Sequence, residues 1–259
     1  MSVDPALRTL AQVIESEQPW PRPRCPSCDA GHIRFDQPVD AESHASASSR
    51  DHPAFEPEWI RGTFALLGAC ENPDCRQTVH GTGDYTVDYS KKSAPDNPWE
   101  QHGPAYSAYY QLTHLHPPML LMPIPASAPE VTQEAVRRAS RVLFADPGLA
   151  ATALRAAVER FMSAEGIAAT WPSGKFRSAH SRIKEWGEAD PNRDRVANLL
   201  FAVKWLGNAG THEDSDLTVS EVLDGAGLLD EAFHRLYTGP DIDARAQNIN
   251  TAEGPHRPV

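Results

Sequence analysis

No stretch of this sequence approaches the roughly 18 consecutive apolar residues that a membrane-spanning helix requires. The opening "MSVDPALRTLAQVIESEQPW" has neither a basic start nor a continuous apolar run. Both absences argue against a membrane partner and a secretory leader, so the sequence alone leads us to expect a cytoplasmic protein. Positive charge is scarce as well: 24 Lys and Arg face 35 Asp and Glu, a formal net charge of -11 at pH 7. A surface that coats nucleic acid regardless of sequence relies on clustered Lys and Arg. No stretch here has the dense basic helical face that fits a major groove, which argues against a base-reading regulator. A nucleic-acid-binding regulator stays as the least favoured reading.

What is present suffices for a globular protein. The chain has 259 residues, 40% of them apolar, enough for one large domain or two small ones. Charge is uneven along it. Residues 137–204 carry 12 Lys and Arg against 7 Asp and Glu, whereas 213–231 holds seven acids and no base. A basic helical region beside an acidic one can hold a phosphate or pair with a partner, although a salt-bridged, solvated surface explains the same pattern.

Composition changes near residue 126. Before it lie β-like runs, "WIRGTFALLGA" (59–69), "TVHGTGDYTVDYS" (78–90), "YYQLTHLH" (109–116) and "MLLMPIP" (119–125), which predict a small antiparallel sheet. The Ser-, Pro- and charge-rich inserts 40–58 and 91–107 read as long surface loops. After residue 126, helix signals follow in series. Ser127 with Glu130 fits a capping box, Asp146-Pro147 an N-cap with a first-turn Pro, and Gly166 a stop. Ser173 is the expected cap of the next helix and Gly187 its stop; Asp190-Pro191 opens another, and Thr218 with Glu221 caps a fifth. Five helices on short loops predict an antiparallel bundle. The expected division is a lead segment 1–19, a β domain 20–125, a helical bundle 126–239 and a loose tail 240–259.

All four cysteines fall in the first half, "CPSC" at Cys25 and Cys28 and "CENPDC" at Cys70 and Cys75. Two such turns can bring four thiolates onto one ion, the spacing of a zinc ribbon. Two disulfides or free thiols would give the same count, but the expected cytoplasmic setting argues against disulfides. Four thiolates leave Zn2+ no open position, so the ion would be structural. His32 and His80 could substitute as ligands but read as surface histidines.

In the second half, "KWLGNAGTHEDSD" (204–216) looks like a helix end followed by an acidic loop, with Asn208 and His212 near one another. A helix C-terminus alone accounts for Gly207 and Asn208, and His212 could serve only as a loop residue paired with neighbouring acids. Arg155 stands four residues before Glu159, which suggests a salt bridge along the helix. Trp186, Trp205 and Phe233 could line an interface, though aromatics at helical spacing are more often core.

The paired cysteines, "LRAAVE" (154–159) and "GNAGTH" (207–212), in that order, resemble the prokaryotic family of domains of unknown function numbered 4145. The resemblance covers about residues 20–238. That family looks like a branch of the HEPN superfamily of helical bundles found in restriction, toxin-antitoxin and antiviral defence systems. The resemblance implies an α+β protein: an N-terminal zinc-ribbon antiparallel β domain followed by a HEPN-like antiparallel helical bundle, acting as a homodimer or with a partner protein. Active members carry an Arg, a polar residue and then a His, and cut RNA without a metal. Here Asn208 and His212 match, but Gly207 stands where the Arg belongs. Lys204 or Arg155 would have to supply the cation, and Lys lacks the planar fork that Arg offers a phosphate. The expectation is therefore an interaction or effector component that has lost catalysis. The alternative is a divergent ribonuclease using His212, Asn208, Lys204 and Arg155.

Overall fold

The computed structural model describes residues 3–28, 30–90, 106–211 and 216–238. The chain is α+β and divides into a sheet unit, Asp4–Met119, and a helical unit, Leu120–Val259, which also includes Met1–Val3.

In the sheet unit, α1 (Pro5–Leu10) is capped by Asp4 and buries Leu7 and Leu10. The strands are β1 (Ile14–Glu15), β2 (Ile33–Phe35), β3 (Val39–Glu42), β4 (Arg61–Cys70), β5 (Thr78–Tyr89) and β6 (Tyr106–His116). They form one antiparallel sheet ordered β1-β6-β5-β4-β2, with β3 also paired to β4. β2 lies along one end of β4 and β3 along the other: Ile33 is opposite Cys70, and Glu42 opposite Gly62. Side chains of a strand alternate between faces. Phe64, Leu66 and Cys70 of β4 accordingly point inward with Val79 and Tyr85 of β5. Over this face Trp20 packs 5.8 Å from Phe64 and 6.1 Å from both Phe35 and Tyr110, ring centre to ring centre.

Two expectations for the first half of the chain fail. The insert 40–58 is not a plain loop: it contains most of β3, a short helix α2 (His44–Ser49) capped by Ser43, and a turn of 3-10 helix at Pro57–Trp59. The run "MLLMPIP" forms no strand, although Met119, Leu121 and Met122 are buried. Of the other insert, 91–105 lies outside the described residues.

Among the described residues, the helical unit has five α-helices: α3 (Glu130–Val142), α4 (Pro147–Ala164), α5 (Ala179–Glu188), α6 (Asp194–Ala209) and α7 (Val219–Phe233). Asp146 caps α4 through Leu149 N, with Pro147 in the first turn. Gly166 follows this helix at φ 84°, a conformation that glycine adopts without strain. The Thr218–Glu221 capping box of α7 forms in both directions.

Other punctuation differs. α3 begins after Pro129 without a side-chain cap, so Ser127 and Glu130 do not form the expected box. Ser178, not Ser173, caps α5; residues 170–176 instead turn back on themselves, with Thr170 bridged to Phe176. Gly187 lies inside α5 and allows close approach to Ala197, since a Cβ there would sit 2.8 Å from the Ala197 Cβ. A 3-10 turn, Pro191–Arg193, capped by Asp190, leads into α6. The core gathers Leu154, Phe161, Ile183, Trp186, Leu200, Leu229 and Phe233, with Phe161 packed edge-on against Trp186 and Phe233. Trp186 and Phe233 are thus core residues, whereas Trp205 is 59% exposed. The expected tail, 240–259, lies outside the described residues.

Candidate functional site

The first candidate is the cysteine cluster. Cys25 and Cys28 sit on a turn closed by Cys25 N donating to Gly31 O at 2.8 Å, and the chain then enters β2. Cys70 ends β4. The following turn is closed by Cys75 N and Arg76 N, both donating to Asn72 O at 3.1 Å, with Arg76 in the left-handed region at φ 50°. Because β2 and β4 pair with Ile33 opposite Cys70, the two turns meet at one end of the sheet.

There the four sulfur atoms lie within 4.8 Å of one another. Cys25 Sγ is 3.8 Å from Cys75 Sγ, and Cys28 Sγ is 3.7 Å from Cys70 Sγ. A disulfide needs about 2.05 Å, so the thiols are not joined. A tetrahedron with metal–sulfur bonds of about 2.3 Å has edges of about 3.8 Å, and these separations fit it. The four cysteines can hold a metal ion.

Backbone amides tune the thiols. The amide of Ala30 is the main influence lowering the Cys28 thiol to about 6, toward the thiolate that a metal binds. Burial is the main influence raising Cys70, to about 12, so its deprotonation calls for a cation in the cluster. Asn72 was not singled out from the sequence. Its Nδ2 lies 3.8 Å from Cys28 Sγ, and its Oδ1 accepts from Asp74 N, so it ties the second turn to the first. An Asn before a Pro is a turn signal, the one cue the sequence offered. His32 and His80 are exposed and outside the cluster.

The second candidate lies between α4 and α6. Arg155 on α4 donates from Nε to Glu159 Oε1 at 2.9 Å and from Nη1 to Asn208 Oδ1 at 3.0 Å. The structure thus brings Arg155 and Asn208 together and forms the expected Arg155–Glu159 pair. Gly207 explains how: a Cβ there would overlap Arg155 Cβ and sit 2.8 Å from the Ala151 carbonyl oxygen. Only glycine lets the helices approach this closely, so an Arg at position 207 would not fit.

Lys204, on the same helix, is buried, with Nζ 2.9 Å from the centre of the Trp205 ring. Burial, and secondarily the charge of Arg155, lower its ammonium below the usual lysine value. The rings continue across α5, with His180 4.8 Å from Phe201 and 6.4 Å from Trp205. His212 lies outside the described residues, as do Glu213 and Asp214. Arg155 and Asn208 therefore form a polar contact between α4 and α6, with Lys204 near enough for the charge of Arg155 to act on it.

Comparison with known proteins gives two matches. Residues 14–111 match the family model described as Domain of unknown function (DUF8608), which spans most of the sheet unit. No curated protein and no solved structure matches the chain. Residues 137–252, in the helical region, match the model described as Domain of unknown function (DUF4145), the family that the sequence resembles.

Proposed function

We propose that this protein is a non-catalytic interaction or effector component of a prokaryotic defence system, of the restriction, antiviral or toxin-antitoxin kind. Its helical unit is HEPN-like, and its sheet unit is a zinc ribbon held by Zn2+ on Cys25, Cys28, Cys70 and Cys75. Sulfur separations near the edge of a zinc tetrathiolate support the choice of metal. With four thiolates bound, the ion has no position for water or substrate, so its role is structural. The chain works in the cytoplasm as a homodimer or bound to a partner protein.

The observation that carries the non-catalytic reading is the engagement of both candidate cations. Arg155 holds Glu159 and Asn208, and Lys204 is buried against Trp205. A cation that stabilises a developing phosphorane must be free to meet it. Here one guanidinium ties two helices together, and one ammonium is withdrawn from solvent.

One observation favours the other reading, a metal-independent ribonuclease. Arg155, Lys204 and Asn208 are close enough that the charge of Arg155 acts on Lys204. His212 would then be the general base or acid, and Arg155 the electrostatic group. Incubating RNA with the purified, zinc-loaded protein in buffer without added Mg2+ or other free divalent ions separates the two. The non-catalytic reading expects equal, background-level cleavage from the wild type and His212→Ala. Cleavage lost in His212→Ala, with an unchanged circular dichroism spectrum, would overturn it.

A further inference from the structure

The start of α6 and the segment after α7 enclose a concavity of about 340 Å3, lined by Asp190, Asn192, Arg193, Arg195, Val196, Arg235 and Leu236. It lies within the helical unit and involves neither the cysteines nor the contact around Asn208.

Its charge is unusual for so acidic a chain. The lining has three arginines and one carboxylate, while the protein as a whole carries -11. The carboxylates that pair with two of these arginines are not in the lining. Glu231 meets Arg235 at 2.7 Å, and Glu165 lies 3.9 Å from Arg193, whose guanidinium also stacks on Trp186 at 4.8 Å. Arg195 is exposed and has no ion-pair partner among the described residues. The one acid in the lining, Asp190, is engaged in capping, since its carboxylate accepts from Asn192 N at 2.9 Å. Glu231 and Glu165 offset part of the charge of Arg235 and Arg193, which leaves the Arg195 guanidinium as the uncompensated cation facing the concavity. A guanidinium presents paired donors suited to phosphoryl oxygens. Val196 and Leu236 add an apolar wall against which an organic body can lie.

We propose that this concavity binds the phosphoryl group of a small molecule no larger than a nucleoside monophosphate. Arg195, without an ion-pair partner among the described residues, supplies the fork contact; Arg235, whose Nε is held by Glu231, offers its terminal Nη groups, and Arg193, fixed over Trp186, forms the rigid side. The volume is at the small end for ligand sites, which run from about 300 to 1,000 Å3. The proposal stands apart from the reading of the helical unit given above.

The test is isothermal titration of the zinc-loaded full chain, in low salt at pH 7.5, with inorganic phosphate, adenosine monophosphate and adenosine. Saturable binding of phosphate or the monophosphate is expected, with none of adenosine. Arg195→Ala and Arg235→Ala should each weaken it about tenfold or more, as loss of a charge-assisted contact predicts. Arg195 is exposed, so its removal leaves the fold intact, and thermal unfolding of both variants checks this. Tighter binding of the monophosphate than of phosphate identifies a nucleotide-like ligand; equal binding identifies the phosphoryl group alone. The absence of saturation by either probe up to about 10 mM, equivalent to less than about 3 kcal/mol of binding free energy, would overturn the proposal. So would binding that neither substitution weakens, or adenosine binding as well as its monophosphate.

Discussion

Replacing Gly207 by Ala puts the packing of α4 on α6 to a quantitative test. In an exposed helix this change stabilises by about 1 kcal/mol, because glycine costs more backbone entropy. At position 207 the new methyl group meets Arg155 Cβ and the Ala151 carbonyl oxygen, the latter at 2.8 Å. Both atoms are fixed by the α4 backbone, so neither can rotate away. Overpacking of this kind costs about 1 to 3 kcal/mol, and backbone obstruction argues for the upper part of that range. Separating the helices also strains the Arg155–Asn208 hydrogen bond, worth about 1 kcal/mol at most, and less here because the Arg155 side chain is 30% exposed. The net expectation is a loss of about 2 kcal/mol. Gly227 on α7 is the control: a Cβ there meets only Val3 Cγ2, at 3.7 Å, so Gly227→Ala should stabilise by up to about 1 kcal/mol. Urea unfolding followed by helical circular dichroism reads both. A Gly207→Ala variant as stable as the wild type would refute the close-approach argument.

Other consequences can be checked with similar means. Purified protein should carry about one zinc ion per chain, and Cys70→Ser should lose it, as metal analysis after dialysis will show. Zinc affinity should fall as the pH is lowered, because the thiols must give up protons to bind. Thr218→Ala should cost about 1 kcal/mol of stability through loss of the α7 cap. Backbone and side-chain hydrogen bonds from Thr218 lower the Glu221 carboxyl below its ordinary value of 4.5. The folded state therefore binds this proton less readily than the unfolded state. The resulting stabilisation is complete above 4.5 and is lost as the pH falls through the lower folded value. Unfolding measured across that acid range should be flatter for Glu221→Gln than for the wild type.

Much of this architecture is legible in the sequence, for reasons that differ by element. The alternation in "RGTFALLGAC" and "TVHGTGDYTV" reports two faces of a strand, and β4 and β5 lie there. Thr218–Glu221 and Asp146-Pro147 mark α7 and α4 because a cap is a local contact. Failures arise where a local signal has two structural uses. Ser173 and Ser178 are equally good caps on paper, and the turn closed by the Thr170–Phe176 bridge decides between them. "MLLMPIP" is apolar because it is buried, and burial alone does not make a strand. Gly187 and Gly207 look like helix stops, yet both lie inside helices where a second helix comes close. The insert 40–58 hid β3 and α2 because Ser, Pro and charge suit loops and short capped helices alike. Cysteine spacing was readable because each pair lies on one turn. The concavity of Arg193, Arg195 and Arg235 was not, because its two sides come from distant parts of the chain.

The account of the helical unit rests on Arg155 being a structural tie to Asn208. A double-mutant cycle of Arg155→Ala and Asn208→Ala, read by urea unfolding of the full chain, measures that tie directly. A coupling free energy of about 0.5 to 1 kcal/mol, the lower part of the range for one hydrogen bond because Arg155 is partly exposed, is predicted. Strictly additive losses, or an Arg155→Ala variant as stable as the wild type, would contradict it and leave Arg155 free to meet a phosphate.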